Sequence, residues 1–141
     1  MLQLRAKILA VDDDAVDIAI VERLLSKDEY DLRTASTGEQ ALEIAADFQP
    51  DIILLDVMMS GISGYEVCRQ VRADSKLRYA KIIMVSNLAM VSERLQGYEV
   101  GADDYISKPF DEAELLAKIR VYSRLKSVEE VDRFKTEVLT L

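Results

Sequence analysis

The chain has 141 residues, half of them hydrophobic and nearly a third charged, with a formal net charge of -8. That length and apolar share suit one compact domain rather than a disordered chain, and five Gly with two Pro exclude collagen and flexible linkers. A single cysteine rules out an internal disulfide framework, and the absence of histidine removes imidazole acid–base chemistry and most zinc sites.

Short β-rich apolar runs alternate with stretches of helical period. Ile8 to Val11 reads as a first strand, stopped by Asp12, Asp13 and Asp14. Val16, Ile20, Val21, Leu24 and Leu25 then form the stripe of an amphipathic helix, with Asp14 as its N-cap. A weaker strand from Leu32 to Ala35 follows. Thr37-Gly38-Glu39 leads into a second helix striped by Ala41, Leu42, Ile44, Ala45 and Phe48, which Pro50 ends. Ile52 to Leu55 reads as a strand buried on both faces and stops at Asp56. A loop from Ser60 to Gly64 opens a third helix through Val67 and Val71, with Cys68 among its core positions. Ile82 to Val85 is the fourth strand, ending at Ser86, and a fourth helix from Val91 to Val100 is stopped by Gly101. A short fifth strand near Tyr105-Ile106 precedes Lys108-Pro109, and a last helix starts at Asp111. Five strand–helix units in strict alternation specify an α/β, doubly wound parallel sheet with helices on both faces.

In such a sheet, ligands bind beyond the carboxyl ends of the strands. The residues at those ends are Asp12, Asp13, Asp56, Ser86 and Lys108, delivered by four strands far apart in sequence. Carboxylates gathered in one cleft repel each other, and a divalent cation removes that cost. Mg²⁺ prefers oxygen ligands, whereas a soft metal would want the missing histidines or the distant Cys68. Metal, the Lys108 cation and the Ser86 hydroxyl together suit a phosphoryl group, with a carboxylate as nucleophile. Asp56, at the end of the most hydrophobic strand, is the best candidate for it.

These residues carry a family resemblance. Val11-Asp12-Asp13, Leu54-Leu55-Asp56-Val57-Met58-Met59, Val85-Ser86 and the run from Gly101 to Phe110 resemble the receiver domain of two-component response regulators, over about residues 7 to 125. The resemblance implies a five-stranded flavodoxin-like sheet of order 2-1-3-4-5. It implies that Asp56 accepts a phosphoryl group from the phosphohistidine of a sensor histidine kinase or phosphotransfer protein. Asp12 and Asp13 would hold Mg²⁺ with Asp56 and the Met58 main-chain carbonyl. Ser86 would bind the phosphoryl oxygen, Tyr105 would take the aromatic switch position behind it, and the Lys108–Pro109 bond would be cis. Two departures bear on the lifetime of the phosphorylated state. Ser60 stands where the family often has Pro, and Asn87 stands where a small residue often follows the switch hydroxyl.

Other readings of the pocket fare worse. A flavodoxin-like cofactor domain needs a hydroxyl- and Gly-rich loop where three acids stand, and an aspartate-nucleophile phosphohydrolase needs a second acid where Met58 stands. A scaffold with a decayed pocket would not keep five polar groups intact.

From Leu115 to Leu141 there is no Gly and no Pro, and about 27 helical residues would reach roughly 40 Å. Val121, Leu125, Val128, Val131, Phe134, Val138 and Leu141 make a near-heptad seam. Residues 1–125 are therefore expected as the receiver and 126–141 as an extended helical linker, able to form a homodimer or join an output domain. Residues 131–139 are similar to the helix that leads into the dimerisation region of histidine kinases, although a nucleotide cyclase would also use such a linker. A pI near 4.6 disfavours direct nucleic-acid binding. No apolar run suits a membrane span or secretory signal, so a cytoplasmic location is expected.

Overall fold

The computed structural model describes residues 5–25, 27, 29–87 and 90–139, with 126–139 as backbone only. The elements follow the alternation in the sequence: β1 (Ala6–Val11), α1 (Ala15–Leu24), β2 (Tyr30–Ala35), α2 (Gly38–Phe48) and β3 (Ile52–Asp56), then α3 (Gly64–Ala73), β4 (Lys81–Ser86), α4 (Val91–Glu99), β5 (Asp104–Ser107) and α5 (Glu112–Leu139). All five strands are parallel, in the order β2-β1-β3-β4-β5. That is the doubly wound flavodoxin-like arrangement. The chain leaves β1 toward β2, then returns past it to β3, so the strand order reverses between β1 and β3.

Alternation along the strands divides the core into two layers. Leu9, Val11, Ile53, Leu55, Ile82 and Met84 face α2 and α3, where Ala41, Ala45, Val67, Cys68 and Val71 are buried. Ile8, Ala10, Ile52, Leu54, Ile83 and Val85 face α1 and α5, where Val21, Leu25, Leu115 and Ile119 complete the second layer. The Cys68 thiol is fully buried and donates to the Val100 carbonyl (3.3 Å). Burial pushes its pKa up to about 11, against the opposing influence of Arg72.

Local signals account for the helix ends. Asp14, Thr37 and Ser63 cap α1, α2 and α3, each accepting a backbone N–H from the first turn. Gln49 takes the left-handed conformation (φ 50°) just before Pro50, and Gly101 (φ 114°) ends the turn after α4.

One expectation fails. Val16 does not belong to the buried stripe of α1 and is 68% exposed. At 3.6 residues per turn it stands roughly 140° around the helix from Val21, whereas Ile18 occupies the core-facing side. The last helix extends to Leu139, and Val121 and Leu125 of the expected seam are exposed. The seam positions after 125 lie outside the described side chains, and Leu141 lies outside the described residues.

Candidate functional site at the carboxyl edge of the sheet

Each strand end is pinned where it delivers a polar group. The Asp12 N–H donates to the Ala35 carbonyl (3.1 Å), holding the chain against β2 as it leaves β1. Asp12 Oδ1 in turn accepts the Asp14 N–H (2.9 Å), and Asp14 is occupied as the α1 cap through Val16 N–H (2.8 Å). Asp56 closes β3 in register with Val85 of β4. Gly64 lets α3 start directly against this strand end, since a Cβ there would sit 2.3 Å from the Asp56 carbonyl oxygen. Beyond β5, the Lys108 N–H donates to the Ser86 carbonyl (2.9 Å), which fixes Lys108 beside the end of β4. The Lys108–Pro109 peptide is cis.

The result is an open cleft of about 510 Å³ whose lining includes Asp13, Asp56, Met58, Ser86 and Lys108. Asp12, Asp13 and Asp56 each offer a carboxylate oxygen within 4.8 Å of the others. Asp12, Asp56 and Ser86 are buried, while Asp13 opens to solvent. Burial pushes the Asp56 carboxyl up to about 7, helped by the charges of Asp12 and Asp13 and opposed by Lys108 and a Met58 backbone hydrogen bond. The cleft thus holds more negative charge than its own cation neutralises. An all-oxygen donor set with surplus charge fits a hard divalent cation such as Mg²⁺ and offers nothing to a soft one.

Lys108 reaches three carboxylates across the cleft. Its Nζ donates to Asp12 Oδ2 (2.7 Å), lies 3.0 Å from Asp17 Oδ2 and stands 3.6 Å from Asp56 Oδ1. Burial alone would lower the Lys108 pKa, but the bonds to Asp12 and Asp17 and the Asp56 charge outweigh it and hold the ammonium above its ordinary value.

Asp17, which lines the cleft, is not among the residues the sequence singled out. The usable signal was its spacing: it follows Asp13 by four residues, which puts it in the first turn of a helix that starts at the cleft. Tyr105 is absent from the cleft lining. It is buried on β5 in register with Met84, in the layer shared with α3. Of the two departures, Asn87 lines the cleft mouth. Ser60 lies in a loop tied by Gly64 N–H to the Val57 carbonyl (2.9 Å) and Ile62 N–H to Glu39 Oε1 (3.2 Å).

Known proteins are similar to this chain in sequence and fold. A family model described as the response regulator receiver domain matches residues 8–120. The response regulator PleD of Caulobacter vibrioides is 41% identical over 123 residues, covering 87% of this chain and 27% of PleD. The DNA-binding dual master transcriptional regulator RpaA of Synechocystis is 36% identical, with 84% of this chain matching 49% of RpaA. This chain therefore spans half or less of the length of these relatives. Among solved structures, the Vibrio cholerae chemotaxis protein CheY4 superposes with a TM-score of 0.80 at 31% identity, covering 84% of this chain and 99% of CheY4. The beryllofluoride-activated receiver domain of DrrB gives a TM-score of 0.78 at 32% identity, covering 86% and 99%. The chain belongs to the response regulator receiver domain family.

Proposed function

We propose that this domain is a phosphorylation-dependent switch with Asp56 as the phosphoacceptor. The observation that carries the reading is the convergence of three carboxylates within 4.8 Å, beside a lysine 3.6 Å from the most buried of them. An Asp56 oxygen attacks the phosphorus of a phosphohistidine on a kinase or phosphotransfer partner. A P–O bond forms, the P–N bond breaks, and the leaving imidazole nitrogen keeps the electron pair and takes a proton from water. Asp56 must be ionised for this, so its raised pKa is a barrier that Lys108 and a cation lower. Asp12, Asp13, Asp56 and the Met58 carbonyl would hold Mg²⁺, which when bound supplies positive charge against the developing phosphoryl oxygens. The Ser86 hydroxyl would donate to one phosphoryl oxygen and Lys108 to another.

Output would pass through the edge of the sheet formed by β5. Lys118 of α5 donates to Asp104 Oδ1 (2.9 Å) and the Tyr105 carbonyl (3.1 Å), and Tyr122 donates to Asp104 Oδ2 (3.0 Å). A rearrangement of Ser86 and Tyr105 on phosphorylation would thus reach α5 through its own hydrogen bonds. Exposed Val91, Leu95 and Tyr98 on α4, with Val121 and Leu125 on α5, offer apolar surface for pairing of α5 between two copies or with a joined domain. The similarity of residues 131–139 to the kinase dimerisation helix favours a histidine kinase domain as that output.

Acetyl phosphate with Mg²⁺ followed by intact mass spectrometry tests the acceptor. The expected result is a gain of one phosphoryl group in the wild type, absent in Asp56→Asn and absent with a chelator. Equal labelling of Asp56→Asn would overturn the assignment.

A further inference from the structure

We propose that Asp17 is a positioning residue that holds Lys108 back from Asp56 until the acceptor carries a phosphoryl group. The inference rests on the phosphoacceptor reading of the same cleft. Three carboxylates surround the Lys108 ammonium, and it bonds two of them: Asp12 at 2.7 Å and Asp17 at 3.0 Å. The 3.6 Å to Asp56 is beyond hydrogen-bond range. Asp17 comes from α1 while Asp12 and Asp56 come from strand ends, so the pull on Lys108 has two directions. Lys108 and Asp12 are nearly enclosed, and Asp17 is 22% exposed, so the Asp17 pair is only partly screened by water.

The two bonds respond differently when the cleft fills. A cation held by Asp12, Asp13 and Asp56 withdraws the charge of Asp12 from Lys108, whereas Asp17 lies outside the three-carboxylate group. Asp17 then becomes the main competitor for the ammonium. A phosphorylated acceptor, with its added negative charge, draws Lys108 across. Asp17 therefore sets how much of the phosphoryl charge is spent on moving the lysine rather than on holding it. The ordinary alternative is that Asp17 simply complements the positive end of the α1 dipole from its first turn.

Beryllofluoride, which stands in for the phosphoryl group, measures the competition. With saturating Mg²⁺, its affinity is read by ¹⁹F NMR in the wild type, Asp17→Asn, Asp17→Glu, Lys108→Ala and the Asp17→Asn/Lys108→Ala pair. The ¹⁵N signal of the Lys108 ammonium is followed in parallel. Asp17→Asn should tighten binding about three- to tenfold, and Asp17→Glu should restore the wild-type value. In the Lys108→Ala background the same substitution should change affinity less than about twofold. A gain that persists without Lys108 would reduce Asp17 to a general field effect and overturn the proposal, as would no gain at all. Should Lys108→Ala bind too weakly to measure, the ammonium signal decides: Asp17→Asn must shift it, and an unmoved signal overturns the proposal. Failure of the wild type to bind beryllofluoride would instead strike the phosphoacceptor reading, while the ammonium signal still tests the hold of Asp17 on Lys108.

Discussion

The two edges of the sheet are both rich in charge, but they use it differently. At the amino edge, Arg72, Asp103 and Asp51 are matched by partners. Arg72 donates to the carbonyls of Gly101 (2.9 Å), Arg78 (2.9 Å) and Ala80 (2.6 Å) and pairs with Asp103 (2.9 Å). Asp103 also accepts the Ile82 N–H at the start of β4 (2.8 Å), and Asp51 accepts the Lys7 N–H at the start of β1 (2.7 Å). At the carboxyl edge, Asp12, Asp17 and Asp56 share Lys108, and Asp13 adds a further carboxylate to the same cleft. Complete pairing fixes loops and strands in place, whereas a charge surplus stores a demand that a ligand can meet.

The contrast can be broken most sharply at Asp56. Asp56→Asn should abolish phosphorylation by acetyl phosphate while leaving a folded chain, read by mass and circular dichroism. At the other edge, Arg72→Ala should cost about 2–4 kcal/mol in urea denaturation, because it strips partners from three carbonyls and Asp103. It should leave Asp56 phosphorylation intact. A loss of labelling in the folded variant would show that the two edges are not separable.

A comparable effect sharpens the comparison through pH. Asp56 binds its proton more tightly in the folded chain, near 7 against an ordinary 3.8. Its contribution to stability is therefore fully present below pH about 4 and is lost as pH rises through about 7. Without metal, the chain should lose up to about 4 kcal/mol over that interval. Asp56→Asn or added Mg²⁺ should flatten the profile in thermal or urea melts, and a wild type whose stability rises across that interval would contradict the surplus. Least of all, Tyr122→Phe should cost about 0.5–1.5 kcal/mol by removing its bond to Asp104. The change should appear as faster hydrogen exchange in α5 near its contact with β5.

Most of this was legible in the sequence because the signals were local. Apolar runs of four residues marked β1, β3 and β4, and the acids that stopped them marked the edge where the cleft forms. The missed strand starts were polar: Lys7 and Lys81 join the ladders through their backbones, and side-chain hydropathy carries no trace of that. Val16 misled because it turns away from the side of α1 that Ile18 and Val21 present to the sheet. Asp17 went unread for a different reason. Its spacing from Asp13 places it at the cleft, but its pairing depends on where Lys108, 91 residues later, comes to rest, and no local pattern encodes that meeting. Arg72 is similar, since its carbonyl partners have no signature in sequence.

The enclosed thiol of Cys68 has a practical consequence. A sulfhydryl buried under α3 and pushed up to about 11 is almost entirely protonated at neutral pH and shielded from electrophiles. The native protein can therefore be tagged elsewhere without first removing its own cysteine. Leu95→Cys on α4 and Leu125→Cys on α5, both at exposed positions, would accept spin or fluorescent labels. Interprobe distances between those two helices could then be followed with and without beryllofluoride.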